Sequence, residues 1–273
     1  MHQLTCSIVL YNTNVPVIKK ALESVLQSKL NIKLFLIDNS ATDDLKKLAG
    51  PSEIQYVFNN KNTGFGRAHN IAINMAEGLA PYHLILNPDV EFEQGTLENV
   101  FDFMQKNESV GQLMPKIFYD DGSLQKLCHL IPTPFDLISR RFFQKTKWPQ
   151  KNNDRYELKG FNYNTCANIP NLSGCFMFIR SGLLHKIGGF DNRFFMYMED
   201  VDLSRRMHAI SQTLFYPEVS IYHKYEKESY SNPVLLRYHI KSAIKYFNKW
   251  GWVFDEERNK INDETIQRLN LLL

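Results

Sequence analysis

One feature of this sequence restricts its fold more than any other: about ninety N-terminal residues alternate between short apolar runs and helical patterns. The apolar runs predict four strands, at Thr5–Leu10, Lys33–Ile37, Ile54–Phe58 and Tyr82–Leu86. The spacing of the apolar residues between them predicts three helices, at Val15–Ser28, Thr42–Leu48 and Arg67–Ala76. Strands that are apolar on both faces and separated by helices indicate an α/β fold with a mostly parallel sheet flanked by helices.

Polar residues follow each of these four predicted strands. They are Tyr11-Asn12-Thr13, Asp38-Asn39-Ser40, Asn59-Asn60 and Asn87-Pro88-Asp89. In open α/β sheets, ligands bind beyond the carboxyl ends of the strands. Each set taken alone is also what an ordinary loop contains. Together, the four sets predict a small-molecule pocket at one edge of the sheet.

The second half of the chain is less regular. Its apolar runs predict strands at Val110–Phe118, Cys175–Ile179, Thr213–Tyr216 and Val219–Tyr222. Helical spacing predicts helices at Leu183–Ile187, Asp200–Ala209 and Asn232–Trp250. Residues 132–165 lack periodicity and predict a long loop with short helical pieces, a kind of segment that often carries function.

Composition excludes several classes of protein. A hydrophobic fraction of 44% with 22% charged residues excludes a disordered or fibrous chain. The formal net charge of +3 is too small to indicate a nucleic-acid polymer as partner. The four cysteines contain no CxxC pair, and no run approaches the roughly 18 apolar residues of a membrane span. We therefore expect a cytoplasmic protein, either soluble or attached to a membrane surface.

Two groups of carboxylates are the candidates for chemistry, since the sequence contains neither a P-loop nor HExxH nor GxSxG. Asp89 at a strand end suits Mg²⁺ or Mn²⁺ shared with a diphosphate, or else caps the next segment. Glu199, Asp200 and Asp202 lie at a predicted helix start, where neighbouring carboxylates and aromatic residues suit a general base. The alternative for Asp202 is an ion pair with Arg205 or Arg206.

Several short motifs, taken in order, resemble one enzyme family. They are Ser7-Ile8-Val9-Leu10-Tyr11-Asn12, Ile37-Asp38-Asn39-Ser40, Asn62-Thr63-Gly64-Phe65-Gly66, Asn87-Pro88-Asp89, Gly188-Gly189-Phe190-Asp191 and Glu199-Asp200-Val201-Asp202. Their order and spacing over about residues 4–225 are similar to those of family 2 glycosyltransferases with the GT-A, Rossmann-like fold. The bacterial rhamnosyltransferase-like branch is most similar, because there Asn-Pro-Asp replaces the Asp-x-Asp metal motif. His223 and the run 246–252 also look like that branch.

The resemblance implies a role for each matching residue in binding a nucleotide-sugar donor. Asp38 would face the nucleobase, and Tyr11 and Asn12 would lie near the base and ribose. The other implied donor-site residues are Asn39, Gly64, Asn87 and Asp89. Asn87 stands where the family usually has its first Asp, so one charged metal ligand is missing here.

The resemblance also implies the metal and catalytic residues. Asp89 would bind a divalent ion, Mg²⁺ or Mn²⁺, and His223 would complete the metal or diphosphate site. Asp200 would be the catalytic base, with Glu199 as the alternative, and Asp191 would orient the acceptor or its own loop. We accordingly expect Asp89 and Asp200 to face each other across one cleft.

The resemblance implies an inverting transfer of L-rhamnose from dTDP-rhamnose to a lipid-linked saccharide, as in the synthesis of cell-surface polysaccharides such as O-antigen. The alternatives are a UDP-hexose-dependent glycosyltransferase and a non-catalytic module that binds sugar nucleotides or glycans. The glycosyltransferase domain would span residues 1–225, with a nucleotide-binding half at 1–110 and an acceptor and catalytic half at 111–225. Residues 226–273 would form a helical extension.

The last long predicted helix is amphipathic. Its apolar stripe consists of Leu236, Ile240, Ala243, Ile244 and Phe247, and its basic stripe of Arg237, Lys241, Lys245 and Lys249. Trp250 and Trp252 follow. This pattern is typical of a helix that lies on an anionic membrane, here the inner face of the cytoplasmic membrane. It is equally typical of a helix that packs on the core with a solvated lysine face.

Overall fold

A nine-stranded sheet lies at the centre of this computed structural model, in which residues 1–142, 150–224 and 232–271 are described. The strands are β1 (Leu4–Leu10), β2 (Ile32–Asp38), β3 (Ile54–Phe58), β4 (Tyr82–Leu86), β5 (Val90–Glu91), β6 (Val110–Phe118), β7 (Ala167–Asn168), β8 (Phe176–Arg180) and β9 (Gln212–His223). The helices are α1 (Val15–Leu26), α2 (Phe65–Met75), α3 (Thr96–Lys106), α4 (Pro134–Phe142), α5 (Gln150–Tyr156), α6 (Ser181–Lys186), α7 (Glu199–His208), α8 (Pro233–Trp250) and α9 (Glu256–Arg268), with a 3-10 helix at Asp44–Leu48.

The sheet is parallel in its first half and mixed in its second. Its strand order is β3-β2-β1-β4-β8-β6-β9-β5, and β7 pairs with β9. The pairs β3–β2, β2–β1 and β1–β4 are parallel, as the sequence predicts. β8 is antiparallel to both of its neighbours, β4 and β6. The sheet is therefore a mixed sheet flanked by helices, with six strands running one way and β5, β7 and β8 the other.

Helices cover the sheet on both faces because its strands are apolar on both faces. On β2, Leu34 and Leu36 belong to one buried cluster, whereas Phe35 and Ile37 belong to another. Successive side chains of a strand point to opposite faces, so each cluster lies on its own side of the sheet. The four N-terminal strands follow the predicted bounds to within one residue.

One prediction for the second half was wrong. The predicted strands Thr213–Tyr216 and Val219–Tyr222 form a single strand, β9. A bulge absorbs the interruption: Pro115 of β6 pairs with Tyr216, and the next residue of β6 pairs with Ser220. The segment 132–165 contains α4 and α5, in agreement with the short helical pieces predicted there. Helix α3 was not predicted, although its apolar residues have helical spacing. The predicted domain boundary at 225/226 lies outside the described residues.

A polar network is enclosed within the N-terminal half of the sheet. The Ser7 hydroxyl is hydrogen-bonded to His83 Nε2 and to His69 Nδ1, each at 2.8 Å, and Thr5 Oγ1 lies 2.8 Å from His83 Nδ1. All four residues are buried. Burial disfavours the charged imidazolium, so the pKa of His83 falls to about 3 and that of His69 lies well below its usual value. Both rings are therefore neutral at physiological pH.

Candidate active site

A cavity of about 790 Å³ lies at the edge of the sheet where β4 and β9 end. Asn87 directly follows β4, and His223 is the last residue of β9. Cys175 enters the same edge just before β8, which runs in the opposite direction. Glu199 and Asp200, the first two residues of α7, line the same cavity. Four residues predicted for the site (Asn87, Glu199, Asp200 and His223) therefore share one cavity.

The acidic pair is positioned by an unusual turn into α7. Tyr197 and Met198 both have positive φ, 68° and 67°, and this left-handed backbone turns the chain sharply into the helix. The first turn of a helix favours negative charge. Asp200 Oδ1 accepts a hydrogen bond from the Val201 amide at 2.9 Å, and Oδ2 accepts one from the Gly174 amide at 3.1 Å. Asp200 is thus held at the cavity wall by two backbone donors.

Both carboxyls of the pair are harder to ionise than ordinary acids. Burial, followed by the charge of Asp200, raises the pKa of Glu199 to about 8. Burial also raises the pKa of Asp200, and its two backbone hydrogen bonds only partly offset this effect. Glu199 Oε2 is buried and has no hydrogen-bond partner among the described residues. Raised carboxyl pKa values are suited to a group that takes up a proton near neutral pH.

His223 forms the other polar part of the cavity. Its Nε2 atom lies 3.5 Å from Asp89 Oδ1 and 3.4 Å from Asn87 Nδ2, while its Nδ1 atom lies 3.2 Å from Gln125 Oε1. Burial disfavours the charged ring, but Cys175 and the Asp89 carboxylate outweigh burial and raise the pKa of His223 to about 10.

The donor set around His223 fits a divalent ion that is shared with a ligand. Within residues 1–142, 150–224 and 232–271, no group of three or more His, Cys, Asp or Glu side chains could hold a metal. Asp89 supplies an oxygen ligand, and His223 supplies an imidazole nitrogen once a bound ion displaces the proton that the ring otherwise carries near neutral pH. Mg²⁺ and Mn²⁺ accept such a partial set because they keep water or phosphate oxygens as further ligands.

Asp89 does not occupy the position that we expected. It lines a separate cavity of about 190 Å³ with Lys20 and Lys224, whereas Asn87 and His223 share the large cavity with Asp200. The contact between Asp89 and His223 connects the two cavities. That Asp89 and Asp200 face each other across one cleft stays a prediction; His223, which contacts Asp89, lines the cavity that Asp200 also lines.

The residues predicted to bind the nucleobase and ribose lie at the ends of β1 and β2. Asp38 is fully buried; its Oδ2 accepts a hydrogen bond from the Tyr56 hydroxyl at 2.6 Å, and its Oδ1 accepts one from the Ser40 amide at 2.8 Å. Tyr11 is half exposed, and the Asn12 amide donates to Ser40 Oγ at 2.9 Å. Sequence reasoning missed Tyr56, whose only signal was its place in a predicted strand.

Gly64 and Asn39 join this donor end to the acidic loop, residues 188–198. Asn39 Nδ2 donates to the Gly64 carbonyl at 3.2 Å. Gly64 has a φ of 89°, and a Cβ atom there would lie 2.1 Å from the Phe195 carbonyl oxygen. The Phe65 amide donates to that same oxygen at 2.9 Å. Only glycine allows the two backbones to approach this closely.

Asp191 forms ion pairs with two neighbouring basic side chains. Its carboxylate contacts Lys249 Nζ at 2.8 Å and Arg193 Nε at 2.9 Å. Burial opposes its ionisation, but the hydrogen bonds from Lys249 and Arg193 prevail and lower its pKa to about 2. Asp191 is not among the described residues that line the large cavity. Of the two predicted roles, these contacts favour orientation of the loop.

Helix α8 is anchored to α7 through Asp202. This fully buried carboxylate accepts hydrogen bonds from Lys249 at 2.6 Å, Trp250 Nε1 at 2.8 Å and Arg206 at 2.8 Å. The ion pair with Arg206 is one of the two alternatives that the sequence left open. Lys249 belongs to the predicted basic stripe, yet it is not solvated. Its role depends on a tertiary contact that sequence spacing does not reveal.

Solved structures share this fold. GalNAc-T7 with UDP, GalNAc and Mn²⁺ superposes with a TM-score of 0.62 at 15% identity, over 98% of this chain and 55% of that one. The mannosyltransferase PcManGT from Pyrobaculum calidifontis, in complex with GDP-Man and Mn²⁺, superposes with a TM-score of 0.61 at 16% identity. The match covers 90% of this chain and 64% of that one. The fold is the GT-A-like α/β fold of glycosyltransferases, as the resemblance predicted.

The sequence matches the family model described as glycosyl transferase family 2 over residues 5–188. The chain therefore belongs to this family. It is 26% identical over 198 residues to N-acetylglucosaminyl-diphospho-decaprenol L-rhamnosyltransferase of Mycobacterium tuberculosis (strain ATCC 25618 / H37Rv), which covers 67% of this chain and 62% of that relative. It is also 26% identical over 245 residues to rhamnosyltransferase WbbL of Escherichia coli (strain K12). This match covers 84% of this chain and 87% of that relative.

Proposed function

We propose that this glycosyltransferase transfers L-rhamnose from dTDP-L-rhamnose to a lipid-linked saccharide with inversion at the anomeric carbon. One observation carries the proposal: the acidic pair of α7 shares a cavity with Asn87 and His223. A catalytic base and the residues proposed to bind the donor's diphosphate would therefore face the same cavity. The names of the two relatives support rhamnose as the sugar, and one of them names a diphospho-decaprenol acceptor. We place the reaction in the cytoplasm, at the inner face of the membrane.

Asp200 acts as the base in this proposal. An acceptor hydroxyl enters the cavity and attacks the anomeric carbon; a new carbon–oxygen bond forms while the bond from that carbon to the diphosphate breaks. The hydroxyl proton moves to Asp200, and dTDP leaves. The Gly174 and Val201 amides hold Asp200 in place. Burial raises the pKa of both carboxyls, and the charge of Asp200 raises that of Glu199 further, so the pair takes up a proton more readily than ordinary acids do.

Asp89 and His223 would hold a divalent ion, with Asn87 beside them. When bound, such an ion neutralises the charge that develops on the departing diphosphate. His223 also ties this end to the sheet, because Gln125 Nε2 donates to its carbonyl oxygen at 2.7 Å. The Mn²⁺ named with two structural neighbours agrees with this assignment.

The experiment is a donor panel on the purified chain with and without Mn²⁺. We expect dTDP-L-rhamnose to raise the melting temperature and to be consumed when a diphospholipid-linked GlcNAc acceptor is added. Stabilisation by UDP-hexoses in place of dTDP-rhamnose would support the UDP-hexose alternative. Donor binding without any turnover would support the binding module.

Replacing Asp200 tests the base directly. We expect Asp200→Asn to lower kcat by about 10²- to 10⁴-fold while donor stabilisation is kept, because the amide preserves shape and cannot accept the proton. Glu199→Gln is the matched control, since it changes the neighbouring carboxyl in the same way. A greater loss in Glu199→Gln than in Asp200→Asn would transfer the base role to Glu199.

A further inference from the structure

An apolar groove of about 160 Å³ runs between α4 and α8. Its walls include Leu137 and Ile138 from α4, Leu236, Ile240 and Ile244 from α8, and Trp252 just beyond α8. We call this groove, together with the adjoining Val253 and Phe254, the apolar surface. The opposite side of α8 is filled: Tyr246 and Ser242 are buried, and Ser242 Oγ donates to the Met196 carbonyl at 2.8 Å.

The side chains of the apolar surface are unusually exposed for their type. Ile138 is 50% exposed, Ile240 47%, Val253 71% and Phe254 92%. Single exposed apolar residues are common on proteins, whereas a contiguous group around a groove marks a site that another surface covers. In the part of the chain that the structure describes, no helix is long and apolar enough to cross a membrane.

Basic residues border the apolar surface along α8. Arg237 and Lys241 are both exposed and precede Ile240 and Ile244 by three residues each, so each basic side chain lies about 60° around the helix from an apolar one. Lys245 continues the row and donates to the Arg193 carbonyl. An apolar stripe with a parallel basic stripe complements an anionic membrane, where acyl chains lie below negative headgroups.

The apolar surface is also adjacent to the active-site cavity. His239 lines the groove, and its ring lies 5.0 Å from the ring of Tyr197. Tyr197 lines the large cavity two residues before Glu199. The contact between the tilted rings of His239 and Tyr197 therefore connects the groove to the wall of the cavity that holds the acidic pair.

We propose that the apolar surface rests on an anionic lipid bilayer, with Ile240, Ile244 and Phe254 among the acyl chains and Arg237 and Lys241 at the headgroups. The bilayer contact stands on the contacts and exposures above. Its purpose, to bring a lipid-linked acceptor to the cavity, rests on the proposed function.

The test is sedimentation of the full chain with vesicles of phosphatidylglycerol and phosphatidylcholine, compared with vesicles of phosphatidylcholine alone. We expect binding to the anionic vesicles that weakens at high salt. Ile240→Gln with Ile244→Gln should weaken it at least tenfold, and Val253→Ser with Phe254→Ser should have a similar effect. Arg237→Gln and Lys241→Gln should each weaken binding about fivefold. Ile210→Gln is the control, since Ile210 is 40% exposed and lies outside the apolar surface.

Failure of the unmodified chain to bind anionic vesicles overturns the proposal. Equal binding to both kinds of vesicle, or undiminished binding by both paired apolar variants, also overturns it. Concentration-dependent dimerisation that the Ile240/Ile244 variant abolishes, without vesicle binding, would assign the surface to a second copy of the chain. Stabilisation by dTDP-rhamnose is measured on every variant. Vesicle binding without sugar transfer would refute the proposed function and leave the bilayer contact standing.

Discussion

Gly64→Ala tests whether the close approach of the donor end to the acidic loop builds the active site. At a φ of 89° and a ψ of 174°, Gly64 occupies a region that is essentially restricted to glycine, and strain there costs about 1–3 kcal/mol. The added Cβ would lie 2.1 Å from the Phe195 oxygen, so the two segments must separate. The hydrogen bond from the Phe65 amide is then lost, which costs about 1 kcal/mol more. We expect a total loss of about 2–4 kcal/mol in the free energy of unfolding.

The same separation should reduce activity because Phe65 and Tyr197, on the two separated segments, both line the large cavity. Urea unfolding gives the stability change, and steady-state kinetics with dTDP-L-rhamnose give kcat/KM. Gly78→Ala is the matched control: Gly78 has a φ of 73°, and a Cβ there meets no atom within 4 Å. We expect this control to lose only the strain contribution and to keep full activity. If the two variants lose equal stability and both stay active, the close approach does not hold the site together.

Three further predictions concern charges. Because burial raises the pKa of Asp200 above its usual 3.8, kcat should fall with decreasing pH at an apparent pKa above 3.8; a rate that stays unchanged until the pH is below 3.8 would exclude this residue as the base. Burial lowers the pKa of His83 from 6.5 to about 3. Between these two pH values the unfolded chain is protonated at His83 and the folded chain is not, so the free energy of unfolding falls as the pH drops from 6.5 towards 3. The fall is at most about 1.4 kcal/mol per pH unit. Urea unfolding at pH 7.5 and 4.5 measures this loss, which should shrink in His83→Gln. Lys249→Met should lower the free energy of unfolding by about 3 kcal/mol, because the carboxylates of Asp191 and Asp202 lose a largely buried partner. Lys260→Met, which removes an exposed ion pair, should lower it by less than about 0.5 kcal/mol. Equal losses in the two variants would contradict the anchoring role of Lys249.

The parts of the fold that the sequence predicted are those set by local pattern. β3 and β4 have the predicted bounds because short, mostly apolar runs between turn residues leave little choice of structure. The continuous β9 was missed because Pro217 interrupts its pattern, and only pairing with β6 shows that a bulge absorbs the break. The reversed direction of β8 is likewise a tertiary property, since its four buried residues suit either direction.

In the candidate site, too, local sequence patterns predicted some residues, and residues that depend on tertiary contacts were missed. Glu199 and Asp200 were placed at a helix start because a cluster of acids after an aromatic run is a local signal, and α7 begins at Glu199. Tyr56 and Trp250 were missed as site residues because each acts on an aspartate 18 or 48 residues away. Contacts over such separations follow from the packing of whole elements and leave no spacing rule in the sequence.

The two faces of α8 explain why one helix fitted two incompatible predictions. Lys249 and Trp250 bind the buried Asp202 of α7, as a helix packed on the core requires, while Ile240 and Ile244 remain exposed, as an interfacial helix requires. Ile240 lies about 180° around the helix from Lys249, at 100° per residue. Substitutions in the groove therefore leave the anchors of Asp202 untouched. For the same reason, a variant that loses vesicle binding should keep its kcat for an acceptor presented in solution.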